Sequence, residues 1–244
     1  MSEIGYYYAE SGNIELIRAS GQARNYPRHM HARHWTLGVL RSGSALLTTA
    51  TTTRELHGGR HFLIPPREIH SLRLEAESVL LVLCLDSAEA LPAADSLLRI
   101  LPSGERNLIQ KALTACADRI APLEAGEGTP AEGTLLSLSI RQVMRRLLEN
   151  PGEDLDVEGM AAYAGYSPWH FLRAFRQVTG MTPHAFQLLC RLRLSRAMLR
   201  ADAAGAAVAA SAGFADQSHM HKVFDRHHGM TPGEFRKASV KLEL

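Results

Sequence analysis

Cysteine is scarce in this chain: three in 244 residues, at Cys84, Cys116 and Cys190, with no Cys-x-x-Cys pair among them. Such spacing argues against a disulfide framework and against a thiolate metal site, and it predicts a compartment that keeps thiols reduced. Long apolar runs are missing as well. The most apolar stretch, SVLLVLCLD at 78–86, suits a buried strand and falls far short of the roughly 18 residues of a membrane span. The opening residues, MSEIGYYYAESG, lack the basic and apolar regions of a secretory signal. Together these absences predict a cytoplasmic globular protein with no membrane partner.

Net charge is also small, at +2, but it is unevenly placed. Residues 1–150 hold sixteen Lys and Arg against sixteen Asp and Glu, whereas residues 167–241 hold eleven against four. Positive charge gathered at one end is the electrostatic footprint of a nucleic-acid-binding module, although solvated helices rich in Lys and Arg produce the same imbalance.

Up to about residue 87 the text is strand-like. NIELIRAS, WTLGVLRSG, SALLTTATTT, HFLIPP, IHSLRLE and VLLVLCLD are short, rich in Val, Ile, Leu and Thr, and separated by Gly or Pro. Six or more such strands without intervening helices predict a small barrel or sandwich. Beyond Leu91 the period changes to that of a helix. SGERNLIQKALTACADRI and GTLLSLSIRQVMRRLLEN are both amphipathic, and the loop-like segment 121–133 lies between them. NPGED at 150–154 closes this region, and everything after it reads as helical.

The last third repeats itself. GMTPHAF at 180–186 returns as GMTPGEF at 229–235, and the echo extends backwards, so that residues 161–186 align with residues 209–235. Gly165 and Gly213 suit the left-handed turn that stops a helix. Tyr166 and Phe214 follow as plugs, and Ser167-Pro168 and Asp216 are N-cap chemistry for a new helix. Phe171 with Phe175, and Met220 with Phe224, are i, i+4 core anchors. Helix, glycine turn and capped helix with a polar outer face make helix-turn-helix geometry, in which the second helix lies in the DNA major groove. A single copy would equally suit an ordinary helical hairpin.

RLRLSRAML at 191–199, followed by SAGFADQSHMHKVFDRHHGMTPGEFR at 211–236, resembles the signature of the AraC/XylS family of bacterial transcription regulators. The resemblance covers about Asp154 to Lys237. It implies two helix-turn-helix subdomains joined by one long helix at about 183–200, with recognition helices entering successive major-groove segments about 34 Å apart. By family pattern the DNA-facing positions of the first head match Trp169, Leu172 and Arg173, with Arg176 also outward. Those of the second match Gln217, Ser218, His221 and Lys222. Arg173 is suited to guanine O6/N7, Gln217 to adenine, and Trp169 and Leu172 to thymine methyls, while Lys222 suits a guanine or a phosphate. Gly205 departs from the pattern, since glycine inside a helix costs up to about 1 kcal/mol.

The front half is read from its own histidines. His29 and His31 alternate in register, so on a strand they point to one face. The segments from His29 to Gly43 and from Gly59 to His70 resemble the two motifs of the cupin barrel, with Thr36 at the fourth ligand position. His29, His31 and His70 could hold a divalent transition metal, or line a metal-free pocket for a small-molecule effector. Thr36 stands where metal-binding cupins usually have Glu, and Arg67 and Leu74 also depart from the motif. His34, His57 and His61 read as surface residues. A metallocupin enzyme fused to a DNA-binding tail is the rival class, but the sequence offers no acid or base pair beyond the histidines.

The stripe Leu136, Ile140, Val143, Met144 and Leu147, rimmed by Arg141, Arg145 and Arg146, suits either intrachain core or a homodimer interface. The resulting expectation is an α+β chain: a small cupin-like β-barrel at 1–90, a helical linker at 91–150, and an all-α double helix-turn-helix domain at 151–240. Its partners would be double-stranded DNA, a small-molecule or metal effector, a second copy of itself and RNA polymerase. It would not be an enzyme.

Overall fold

The structure, a computed structural model, describes residues 3–9, 14–31, 34–66, 68–85, 94, 97–120 and 135–242. It divides into two compact units, one of Met1–Gly128 with Lys237–Leu244 and the other of Thr129–Arg236. The first unit carries β1 (Glu3–Ala9), β2 (Ile14–Ser20), β3 (Arg24–His29), β4 (Trp35–Ser42) and β5 (Ser44–Thr49). It continues with β6 (Thr53–His57), β7 (His61–Ile64), β8 (His70–Leu74), β9 (Val79–Leu85), α1 (Ser103–Ile120) and, from the far end of the chain, β10 (Ser239–Leu242).

These strands form a six-stranded sheet in the order β10-β1-β2-β9-β4-β7 and a four-stranded sheet in the order β3-β8-β5-β6. Among the described residues the pairing runs in two sheets and is not continuous around a barrel. β4 explains its own sequence: Trp35, Leu37 and Val39 pack with Leu81, Leu83, Ile109 and Ala112 under α1, while Thr36 and Leu40 are buried on the opposite face. A strand covered on both sides reads as a nearly unbroken apolar run. β3 contains Pro27, and accordingly it takes an edge of its sheet.

α1 is fastened to the large sheet by one carboxylate. Glu105, in its first turn, is 1 % exposed and accepts hydrogen bonds from Arg18 Nε at 3.2 Å and from Arg41. Those arginines sit on β2 and β4, on either side of β9, so a single buried acid spans three strands.

The second unit is helical: α2 (Leu135–Glu149), α3 (Val157–Ala164), α4 (Pro168–Thr179), α5 (Pro183–Arg200), α6 (Gly205–Ser211), α7 (Gln217–His228) and α8 (Pro232–Ala238). The expected linker at 91–150 is therefore divided, with α1 in one unit and α2 in the other. Ile140, Val143 and Leu147 are wholly buried, with α2 packed on α3, α4 and α5, so of the two readings of the apolar stripe these residues take that of intrachain core. The loop at 121–133, Arg67 and the side chain of Leu136 lie outside the described residues.

Candidate nucleic-acid interface and sensor site

The two heads are built by the same local chemistry. α3 begins at Asp156, whose carboxylate accepts the Gly159 N–H at 2.8 Å, and ends at Gly165 in the left-handed region, φ 75°. α4 begins at Ser167-Pro168 and ends at Gly180. In the second head Asp216 caps α7 by accepting the His219 N–H at 2.7 Å, and Gly229 stops it. Thr182 starts α5 in the same way, accepting the Ala185 N–H at 3.2 Å. Thr231 and Glu234 form a reciprocal capping box at α8. Phe175 meets Phe186 at 5.8 Å between ring centroids, and the equivalent pair Phe224 and Phe235 meets at 5.4 Å. Buried aromatics at matching positions hold each recognition helix to the helix that follows it.

The outer faces of those helices carry the expected residues. Trp169 is 70 % exposed, and Leu172, Arg173 and Arg176 are exposed beside it. The Arg173 guanidinium lies 5.8 Å from the Trp169 ring centroid, one helical turn away. On α7, Gln217, Ser218 and Lys222 are exposed and His221 is half-buried, with Gln217 Nε2 3.4 Å from His221 Nε2.

Gly205 does not interrupt a helix, because it is the first residue of α6, where little helical hydrogen bonding is at stake. A Cβ at Gly205 would come within 2.8 Å of the Gln217 amide, so glycine leaves room for that side chain. A further repeated contact was not anticipated. Tyr166 stacks on His170 at 5.2 Å, and Phe214 meets His219 edge-on at 5.5 Å. Aligning the two repeats already places His170 opposite His219, which is the signal that would have revealed it.

In the first unit three imidazoles converge. Pairing of β3 with β8 sets His29 directly opposite His70, and His31 follows two residues later. One ligand atom from each of the three lies within 4.8 Å of the others. The ring centroids are 4.2 Å apart for His29 and His70, and 5.2 Å apart for His31 and His70. His29 Nδ1–H donates to the Pro27 carbonyl at 2.7 Å, and His70 Nδ1–H donates to the Glu68 carbonyl at 3.0 Å. Those bonds fix the tautomer and leave a lone pair on each Nε2, the arrangement seen for metal-binding histidines. Burial holds His70 below the usual histidine range and so favours the neutral ring that a metal requires, while its bond to the Glu68 carbonyl acts in the opposite direction.

Thr36 is 4 % exposed, and its Oγ1 has no hydrogen-bond partner among the described residues. It faces the same side of the large sheet as Cys84, its ladder partner on β9. His57 and His61 are exposed, as expected, whereas His34 is half-buried with its ring 6.3 Å from that of His31.

The chain matches the AraC-like ligand binding domain over residues 11–159 and the helix-turn-helix domain over residues 160–238. It belongs to the AraC family.

Among AraC-family relatives, the chain is 37 % identical over 109 residues to the RCS-specific HTH-type transcriptional activator RclR of Escherichia coli (strain K12). It is 27 % identical over 163 residues to the HTH-type transcriptional regulator MtrA of Neisseria gonorrhoeae. These matches cover 44 % and 65 % of this chain, and 38 % and 51 % of the two relatives, so the chain spans about half their length or less. Both relatives are named as regulators of transcription. The fold is similar to that of ToxT from Vibrio cholerae, with a TM-score of 0.59 at 10 % identity, over 92 % of this chain and 97 % of that one. No helix among the described residues is long and apolar enough to cross a membrane.

Proposed function

We propose that this AraC-family chain regulates transcription by binding double-stranded DNA through both heads, with an effector seated among the histidines of the first unit. The observation that carries the reading is the duplicated head: two capped helices on one scaffold, each holding its polar and cationic side chains out to solvent. Arg173, Trp169 and Leu172 read bases from α4, and Gln217, Ser218 and His221 from α7, while Arg176 and Lys222 contact the backbone. Selection of duplexes from a random pool, followed by footprinting, tests this directly. Protection of two adjacent major-groove segments is expected. A chain that enriches no sequence would defeat the proposal.

His29, His31 and His70 suit a divalent transition ion of the zinc, nickel, iron or copper kind, because an all-imidazole donor set disfavours magnesium and calcium. Modest side-chain adjustment would bring three nitrogens to the spacing of about 3.3 Å that tetrahedral zinc bonds imply. A second reading, polar lining for a metal-free organic effector, is favoured by Thr36, whose buried hydroxyl, unpaired among the described residues, would gain a partner from an oxygen- or nitrogen-bearing ligand. Metal content of the purified chain, with thermal shifts for added metals, separates the two. An ion at a hundred times its Kd stabilises by about 2.7 kcal/mol, and His29→Ala and His70→Ala should each abolish the shift. The absence of a shift with any metal would leave the organic effector as the reading.

The cytoplasm, a homodimer and a contact with RNA polymerase belong to the same proposal. A dimer would use a surface other than the α2 stripe. Mass in solution at increasing concentration tests self-association.

A further inference from the structure

α5 is not the only connection between the two heads. Residues 150–155, which lead from α2 into α3, are gripped from one side by α5. Arg191 Nε donates to the Pro151 carbonyl at 3.3 Å and its Nη2 to the Glu153 carbonyl at 3.4 Å. Gln187, itself buried, donates to the carbonyls of Glu153 and Leu155 at 3.3 and 3.2 Å. Arg193 Nη2 donates to the Leu148 carbonyl at 2.8 Å.

From the other side the same segment touches the second head. A Cβ on Gly152 would lie 2.2 Å from the Ser211 carbonyl oxygen. Gly213, at φ +76°, has so little room that a Cβ there would lie 2.8 Å from the Gly152 carbonyl oxygen and 3.1 Å from Arg191 Nε. Two backbones therefore meet glycine to glycine, with one guanidinium beside the contact. Ser211–Gly213 is the turn that delivers the second recognition helix, and residues 150–155 deliver the first head. By contrast, the covalent route from α5 into the second head passes through the turn at residues 201–204, where Asp202 adopts a positive φ of 60°.

We propose that this strap fixes the separation and rotational phase of the two recognition helices, with Gly152, Gly213 and Arg191 as positioning residues, so that the chain selects DNA sites by the spacing of their two half-sites. The inference rests on the DNA-binding function proposed above. A rod alone sets a distance along its axis. A second attachment removes the remaining twist and bend, and both heads then engage together only where the half-sites match.

The test uses the full chain and duplexes drawn from its own selected site: the intact site, each half-site alone, and the two half-sites moved apart or together by one and two base pairs. Gly152→Ala introduces a side chain against a backbone carbonyl without requiring a positive φ. It should weaken binding to the intact site by about tenfold or more through lost simultaneous engagement, leave each single half-site within about twofold, and move the preferred spacing. Arg191→Gln should act in the same direction, and thermal unfolding of both variants would report whether the fold is kept. Unchanged affinity and spacing preference in both variants would overturn the inference. So would equal losses on intact and single half-sites, which would make the strap a support for each head separately. Failure of the unaltered chain to select any duplex would instead overturn the DNA-binding reading, and this inference with it.

Discussion

In the first head Trp169 stands in solvent with Arg173 across its ring, whereas in the second Gln217 lies over Gly205 and reaches His221. The scaffold positions of the two heads correspond almost one for one: buried Phe175 with Phe224 and Phe186 with Phe235, and the helix-ending Gly180 with Gly229. What differs is the water-facing side. The scaffold is thus specified by a few caps, glycines and aromatics, and the reading surface varies independently of it. The first head presents a large, rigid, amphipathic face with a guanidinium. The second presents polar groups, with Gln217 in contact with His221.

The core correspondence is open to the harshest test. Phe175→Ala and Phe224→Ala should each cost about 3–5 kcal/mol, because both rings are fully buried among other rings. Denaturant unfolding that showed one loss much smaller than the other would break the equivalence. The contrast in reading surface comes next. Arg173→Ala should lose about 1–3 kcal/mol on the selected site and less on unrelated DNA. Lys222→Ala should weaken all sequences alike and lower the salt slope by about 1. Binding isotherms at several salt concentrations check both, and a sequence-selective loss at Lys222 would erase the distinction.

The caps give a smaller difference. Asp216→Ala should cost about 1 kcal/mol of stability, since its side chain holds an otherwise unpaired N–H. Ser167→Ala should cost a few tenths at most, because the Ser167 hydroxyl makes no capping bond and Pro168 supplies the start. The smallest effect concerns Gly205→Ala. It should leave unfolding within about 0.5 kcal/mol while altering base preference at the second half-site, by displacing Gln217. Unaltered preference would show that Gln217 does not read DNA from this position.

The heads were legible in the sequence because the constraints that build each one are local. A left-handed glycine, a cap and an i, i+4 core pair sit within a dozen residues, and the chain states them twice. The histidine cluster was half legible. The alternation of His29 and His31 suggests a shared face, but their meeting with His70 depends on a pairing register across about forty residues of chain. The division of the helical middle was not legible, since an apolar stripe says that a face is buried and not what buries it. Ile140, Val143 and Leu147 would read the same in a dimer. β10 escaped notice for a related reason: SVKL is too short to carry a period and acquires strand geometry from β1.

That last strand has a topological consequence. Tyr6 through Ala9 pair in parallel with Ser239 through Leu242, so the polypeptide leaves the first folded unit, builds the helical one, and comes home to finish the sheet it began. In sequence, the helical unit is an insert within the first. Unzipping four residue pairs would bare a row of backbone donors and acceptors along β1 for the next strand to find.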